Sequence, residues 1–219
     1  MKKKDVFWIT NVPSPYRVDF FNELGKTTNL KVLFERKSSS ERDKSWENFH
    51  FSNFKGFLMN GFKIGVDKTF SFKIIKYLKE YKHDKIVISN YSSPSEIIAA
   101  LYLIIKRRKY VIETDGGFSK NNKGIKEKIK TFIISHADKC FSTSRENDKY
   151  FLHYGAKIES IVRYPFTSLY AKDIISHSLS NSERLKLKEK YNIKEDKVIL
   201  SIGRFIYGKG FDVLFNSLI

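Results

Sequence analysis

The feature that most constrains the fold is an alternation of two hydrophobic periods along the chain. Short runs rich in β-branched and aromatic residues occupy residues 6–10, 30–35, 85–89, 110–113 and 139–142, and such runs read as buried strands. Between them lie stretches with apolar residues at helical spacing, at 15–24, 70–81, 94–105, 123–137 and 144–154. Strands alternating with helices indicate parallel βαβ units, so the spacing predicts an α/β chain with an open parallel sheet flanked by helices. Sheets of this kind bind ligands outside the carboxyl ends of their strands. The loops collected there are residues 11–17, 90–93, 114–117 and 143–145.

Several local signals place residues on that edge. Ser14 followed by Pro15 reads as a helix N-cap with proline at the first helical position, and Val18, Phe21 and Leu24 then recur with helical spacing. Gly25 is expected to close this helix. The unit brings Asn11, Ser14, Tyr16 and Arg17 to the edge, where they can face a ligand or simply shape the turn. Ser93 and Glu96 form a capping box before the apolar run 94–105, and the cations of 106–109 offset the helix dipole at its other end. Asp115, flanked by Gly116 and Gly117, is the best-placed acid; a turn aspartate capping its own backbone is the alternative. The aromatic run Trp46, Phe49, Phe51, Phe54 and Phe57 suits stacking on a sugar or base, but core packing is its expected use.

The last stretch repeats the strand-to-helix theme. Residues 198–202 read as a strand and 211–218 as a helix, with Gly203, Arg204, Gly208, Lys209 and Gly210 between them. Glycines allow a close backbone approach at a helix N-terminus, and two cations there suit a diphosphate. A solvated loop has the same composition. The polar, Ser-rich segment before this stretch marks a boundary, giving a domain over 1–171, a linker over 172–196 and the start of a second domain over 197–219.

Composition narrows the partners. The chain holds 41 Lys and Arg against 24 Asp and Glu, a net charge of +17, which favours nucleic acid, anionic lipid or phosphorylated substrates. Part of the lysine excess accompanies abundant Asn, Ile and Tyr and reflects background bias. Cys140 is the single cysteine, which excludes an internal disulfide and fits a reducing cytoplasm. The apolar run after the first lysines is too short for a signal peptide, and no stretch approaches a bilayer span. The five histidines are scattered without ligand spacing, so no metal site is expected, and the absence of G-x-S-x-G removes support for acyl-enzyme chemistry.

Three strings carry a resemblance. G-R-x4-K-G-x-D at 203–212 looks like the opening of the nucleotide-sugar domain of GT-B glycosyltransferases, specifically glycosyltransferase family 4. N-x-P-x-P-Y-R-x-x-x-F-N-x-L at 11–24 resembles the start of many polysaccharide-building members, and 137–146 resembles the last strand and following helix of their N-terminal domain. The resemblance implies a Rossmann-like acceptor-side domain whose first loop faces the interdomain cleft, and a donor domain of which only the first strand, turn and helix start are present. It further implies that Arg204 and Lys209, with Gly203 and Gly210, contact the diphosphate of a nucleotide sugar. The resemblance also implies that sugar passes with retention to a glycan or lipid-linked saccharide at the cytoplasmic leaflet, without a cofactor or metal. The basic helix over 123–137 reads as a surface helix packed on its sheet or as one that lies on an anionic membrane surface, and the resemblance favours the second. The family's paired-glutamate E-x7-E motif is expected in the part of the donor domain that the sequence does not include, and this chain departs from the pattern where many members carry a His in a loop that here reads Glu-Thr-Asp-Gly-Gly. The His therefore cannot be carried over, and Asp115 or Glu113 in its role is a hypothesis.

The rival from another class is a basic nucleic-acid-binding α/β module, motivated by the charge and the aromatic run. Against it, no nucleic-acid motif occurs and the lysines are spread over several helices. Filter binding separates the two: the glycosyltransferase reading expects weak retention of RNA and DNA, whereas tight retention with a steep salt dependence would favour the module.

Overall fold

In the first unit, Met1–Ala171, the alternation resolves into seven parallel strands ordered β3-β2-β1-β6-β7-β8-β9. The strands are β1 (Lys4–Thr10), β2 (Thr28–Phe34), β3 (Lys55–Leu58), β6 (Lys85–Ser89), β7 (Tyr110–Thr114), β8 (Lys139–Ser142) and β9 (Ile161–Arg163). A separate antiparallel hairpin joins β4 (Phe62–Ile64) to β5 (Lys68–Phe70). Helices α1 (Pro15–Thr27), α2 (Lys73–Glu80), α3 (Pro94–Ile105), α4 (Ile125–Ser135) and α5 (Arg145–His153) connect the strands. This computed structural model describes every residue except Met1, Ser40, Glu41, Asp43, Asp67, Phe118, residues 120–123, Pro165, Thr167, Ser168, Arg204, Ile219 and the side chain of Ser45.

Successive side chains of a strand point to opposite faces, and the two cores follow that period. Phe7, Ile9, Ile86, Ile88, Ile112 and Cys140 face one side, where Ile74 and Leu78 of α2, Leu103 of α3, Ile133 of α4 and Phe151 of α5 cover them. Trp8, Val32, Phe34 and Val87 face the other, covered by Val18 and Phe21 of α1 and by Phe54. The aromatic run therefore supplies core: Phe49 and Phe51 pack against this second cluster, and Phe57 against the first.

Tertiary packing moved several expected boundaries. Gly25 does not close α1 but lies inside it, and a Cβ there would sit 2.0 Å from the Asn53 carbonyl oxygen. The close approach of the 51–54 segment explains the glycine. The helix expected from residue 70 begins at Lys73, because Phe70 pairs with Phe62 in the hairpin. In α4 the inward face is Ile133 and Ile134, while Ile125 and Phe132, expected on the same stripe, are exposed. Strands β3 and β9 and the hairpin carry too few residues for a periodic signal.

The second unit, Lys172–Ile219, contains α6 (Asn181–Lys190) and α7 (Phe211–Asn216). Ser180 and Glu183 cap α6 reciprocally, Ser180 N–H donating to the Glu183 carboxylate at 2.8 Å and Glu183 N–H to Ser180 Oγ at 3.3 Å. The strand expected over 198–202 does not form, and Leu200 and Ile202 are 79% and 87% exposed. A strand exists through ladder bonds to a neighbour, and among the described residues none pairs with this run.

Two acids lie inside the first unit. Glu35, just after β2, is fully buried with neither carboxylate oxygen in a hydrogen bond, and Glu96 in the first turn of α3 is buried as well. Burial pushes Glu35 up to about 7, the Arg36 charge offsetting only part of it. Burial and the nearby Glu35 push Glu96 well above the usual carboxylate range. A pKa raised on folding means that the folded state holds its proton more tightly, so the stability that Glu35 contributes is fully present below about 4.5 and is lost as pH climbs through about 7. Urea unfolding is expected to show a loss of stability across this window from the buried Glu35 and Glu96 pair, and Glu35→Gln should flatten the pH profile.

Candidate active site

The strand order reverses at β1, which has β2 on one side and β6 on the other, and the crevice above such a switch point is where open α/β sheets take ligands. The loops after β1, β6, β7 and β8 meet at this edge. Asn11 is half-buried, and its Oδ1 accepts the Val12 N–H at 2.7 Å while its carbonyl accepts Arg36 N–H at 3.0 Å. Ser14 occupies the N-cap of α1 but its hydroxyl caps nothing, and the residue is buried. Tyr16 is half-buried, set edge-on against Trp46 and Phe166 at 6.1 and 6.0 Å between centroids.

Arg17 turns inward from the first turn of α1. Its guanidinium pairs with Glu113 at the end of β7 and donates to Ser89 Oγ at 3.0 Å and to the Tyr164 hydroxyl at 3.2 Å. Ser89 donates to the same Glu113 oxygen at 2.5 Å and accepts from the Trp8 indole at 2.7 Å. Rings close over the group, with Phe166 at 5.1 Å from the guanidinium carbon. Burial alone would weaken the Arg17 charge, but Glu113 more than compensates and holds its pKa above the ordinary value. The other Glu113 oxygen is buried without a partner. Sequence reading placed Arg17 at the edge but missed this network, since no local signal links it to a glutamate 96 residues away.

Asp115 lies just past β7 with its side chain at the surface. Partial desolvation and the Glu113 charge push its pKa up, with Arg17 pulling the other way, so it stands within electrostatic reach of both. A carboxyl raised in this way exchanges a proton more readily near neutrality than an ordinary aspartate. Asn90, ending β6, adopts a left-handed backbone at φ +74°, its Oδ1 accepting from Thr114 Oγ1 at 3.2 Å. Such strain in a non-glycine residue concentrates at functional edges. Asn11, Tyr16, Asp115 and Asn90 thus share one rim, with Arg17 and Ser14 beneath it.

The remaining candidates belong to the second unit. Gly210, in the left-handed region at φ +66°, ends a 3-10 turn at Tyr207–Lys209 and leads into α7. Lys209 is exposed there, Gly203 faces the Phe211 ring, and the Phe205 ring packs tilted against Phe211 at 4.9 Å between centroids. Arg204 lies outside the described residues. Among the described residues no three His, Cys, Asp or Glu side chains cluster as metal ligands, and no helix is long and apolar enough to cross a membrane.

Comparison with solved structures places the fold. The HepE protein of Anabaena crystallised with UDP is similar over 98% of this chain and 57% of its own length, with a TM-score of 0.65 at 13% identity. Its complex with UDP-glucose gives 0.61 over the same shares. A glycosyltransferase from Rickettsia africae gives 0.62 at 15% identity over 99% and 57%. A UDP-GlcNAc 2-epimerase from Neisseria meningitidis bound to UDP-GlcNAc gives 0.50 at 12% identity over 87% and 54%. The chain spans less than two thirds of each. No family model matches the sequence, and no curated protein matches it. At these identities the likeness establishes the fold: a parallel sheet flanked by helices, of the Rossmann-like kind found in GT-B enzymes.

Removing one partner of the Arg17–Glu113 pair strands a buried charge, so Arg17→Ala is expected to cost about 3–5 kcal/mol in denaturant unfolding. Replacing both with apolar residues of similar size should recover most of that loss.

Proposed function

We propose that this chain is part of a family 4 type glycosyltransferase that moves a sugar from a nucleotide sugar to a glycan or lipid-linked saccharide in surface polysaccharide synthesis. The observation that carries the reading is fold likeness over nearly the whole chain to a protein holding UDP-glucose and to a glycosyltransferase. The motif strings at both ends of the sequence support it independently. In this reading residues 1–171 form the acceptor side, 172–196 a linker and 197–219 the start of the donor domain. Asn11 and Tyr16 meet the acceptor at the rim, over a base built from Ser14 and Arg17.

On the donor side, Arg204 and Lys209 neutralise the charge developing on the departing nucleoside diphosphate, with Gly203 and Gly210 letting the backbone approach. This task is electrostatic and needs no metal. Asp115 takes the catalytic place for which the family's His is missing, holding or accepting the acceptor proton, and configuration is retained. The basic exposed face of α4, with Lys126, Lys128 and the exposed Ile125 and Phe132, suits the anionic inner surface of a membrane, and this supports a reading of the enzyme as a cytoplasmic protein peripheral to that surface.

The shared fold with an epimerase supplies the second reading, in which the nucleotide sugar is inverted at one carbon and no bond to an acceptor forms. Incubation of the intact enzyme with UDP-glucose and a membrane extract is expected to release UDP and label a glycan; an epimerised UDP-sugar without UDP release would favour the second reading. Asp115→Asn should lower kcat about a hundredfold with donor affinity unchanged, and undiminished turnover would take Asp115 out of the mechanism.

A further inference from the structure

A second cleft, of about 300 Å³, opens between the segment after β2 and the β4–β5 hairpin, with Ser38, Ser39, Arg42, Lys44 and Lys63 around Arg36. Arg36 builds its wall. The buried guanidinium donates to Thr69 Oγ1 at 2.9 Å and to the Val66 carbonyl at 2.5 Å, and also to the Lys68 carbonyl, binding the hairpin to the end of β2. These bonds commit Arg36 to structure.

Arg42 is different. Among the described residues its buried Nε has no hydrogen-bond partner, and its guanidinium lies over the Trp46 ring at 5.1 Å. An unpartnered buried donor is costly, and a charged one more so, while stacking on Trp46 holds the planar fork in one orientation. Lys44 and Lys63 line the same cleft, and no described carboxylate forms an ion pair with either. The acid of the lining, Glu47, is taken by Lys37 at 3.1 Å. The cleft thus concentrates positive charge, two serines and one orphaned guanidinium donor.

We infer that this cleft binds a phosphate or diphosphate group, Arg42 Nε–H donating to a phosphate oxygen while Lys44 and Lys63 supply charge. A tetrahedral anion satisfies the buried donor, and the planar fork matches phosphate oxygens as no neutral sugar hydroxyl does. The assignment is separate from the donor role proposed for Lys209 and does not require sugar transfer. Trp46, against which Tyr16 packs, connects this cleft to the loop after β1.

Calorimetric titration of the 219-residue chain with pyrophosphate, inorganic phosphate and glucose 1-phosphate at low salt tests it. Saturable binding is expected, weakened about tenfold or more by Arg42→Ala and by Lys63→Ala. Lys63 sits on an exposed hairpin strand, so that variant reports on the cleft even if Arg42→Ala disturbs packing. Tighter binding of glucose 1-phosphate than of inorganic phosphate identifies a phosphate ester as the ligand, and the reverse order identifies the free ion; both support the cleft. Binding indifferent to Arg42 and Lys63, or no binding, overturns the inference. Loss in Lys209→Ala alone also overturns it while supporting the donor role. Displacement of pyrophosphate by an RNA oligonucleotide at far lower concentration overturns it in favour of a polynucleotide ligand.

Discussion

The ligand edge of the first unit depends on one buried ion pair. Arg17 and Glu113 meet between the start of α1 and the end of β7, and Ser89, Trp8 and Tyr164 complete the hydrogen bonds around them. Charges removed from water are tolerated only when so enclosed, because desolvation otherwise outweighs their attraction. The consequence is positional. The pair fixes where the first turn of α1 sits over the sheet, and with it Asn11 and Tyr16 on the rim. Three strands and a segment beyond a fourth share these contacts, so the rim is held by the core.

The edge also collects buried acids from inside, two of which burial keeps protonated. Glu113 keeps one oxygen unpartnered, Glu35 keeps two, and Glu96 is buried beside Glu35. Asp115 holds its proton more tightly through partial desolvation and, after it, the nearby Glu113 charge. The positive charge of the segment after β2 stands on the other side of Arg36, where the hairpin folds back. A site with carboxylates under one rim and cations in an adjacent cleft is chemically suited to a substrate with a hydroxyl to activate and a phosphate to hold.

Much of the architecture was legible because it rests on local periodicity. The strands at 85–89 and 139–142 appear where alternation placed them, and the carboxylate arm of the Ser93–Glu96 capping box accepts Ser93 N–H at 3.1 Å. The edge loops carrying Asn11, Tyr16 and Asp115 follow from the parallel connectivity alone. Other features were hidden for a physical reason: their partners are remote in sequence. Gly25 read as a helix stop, yet it answers to Asn53. Arg17 read as a loop cation, yet it answers to Glu113. The strand expected at 198–202 has the right composition, but composition cannot supply the neighbour that a ladder needs.

By itself, then, the sequence determined the alternation of strand and helix, the parallel sheet, the ends of several helices and the loops that crowd one edge, because each follows from the spacing of apolar residues and from caps within a few positions. Only the tertiary structure decided which polar groups at that edge are spent on the core and which remain open. Burial and charge pairing are properties of residues brought together from far apart, and the energies that sort a buried Arg17 from an unpartnered Arg42 exist only after the chain has folded.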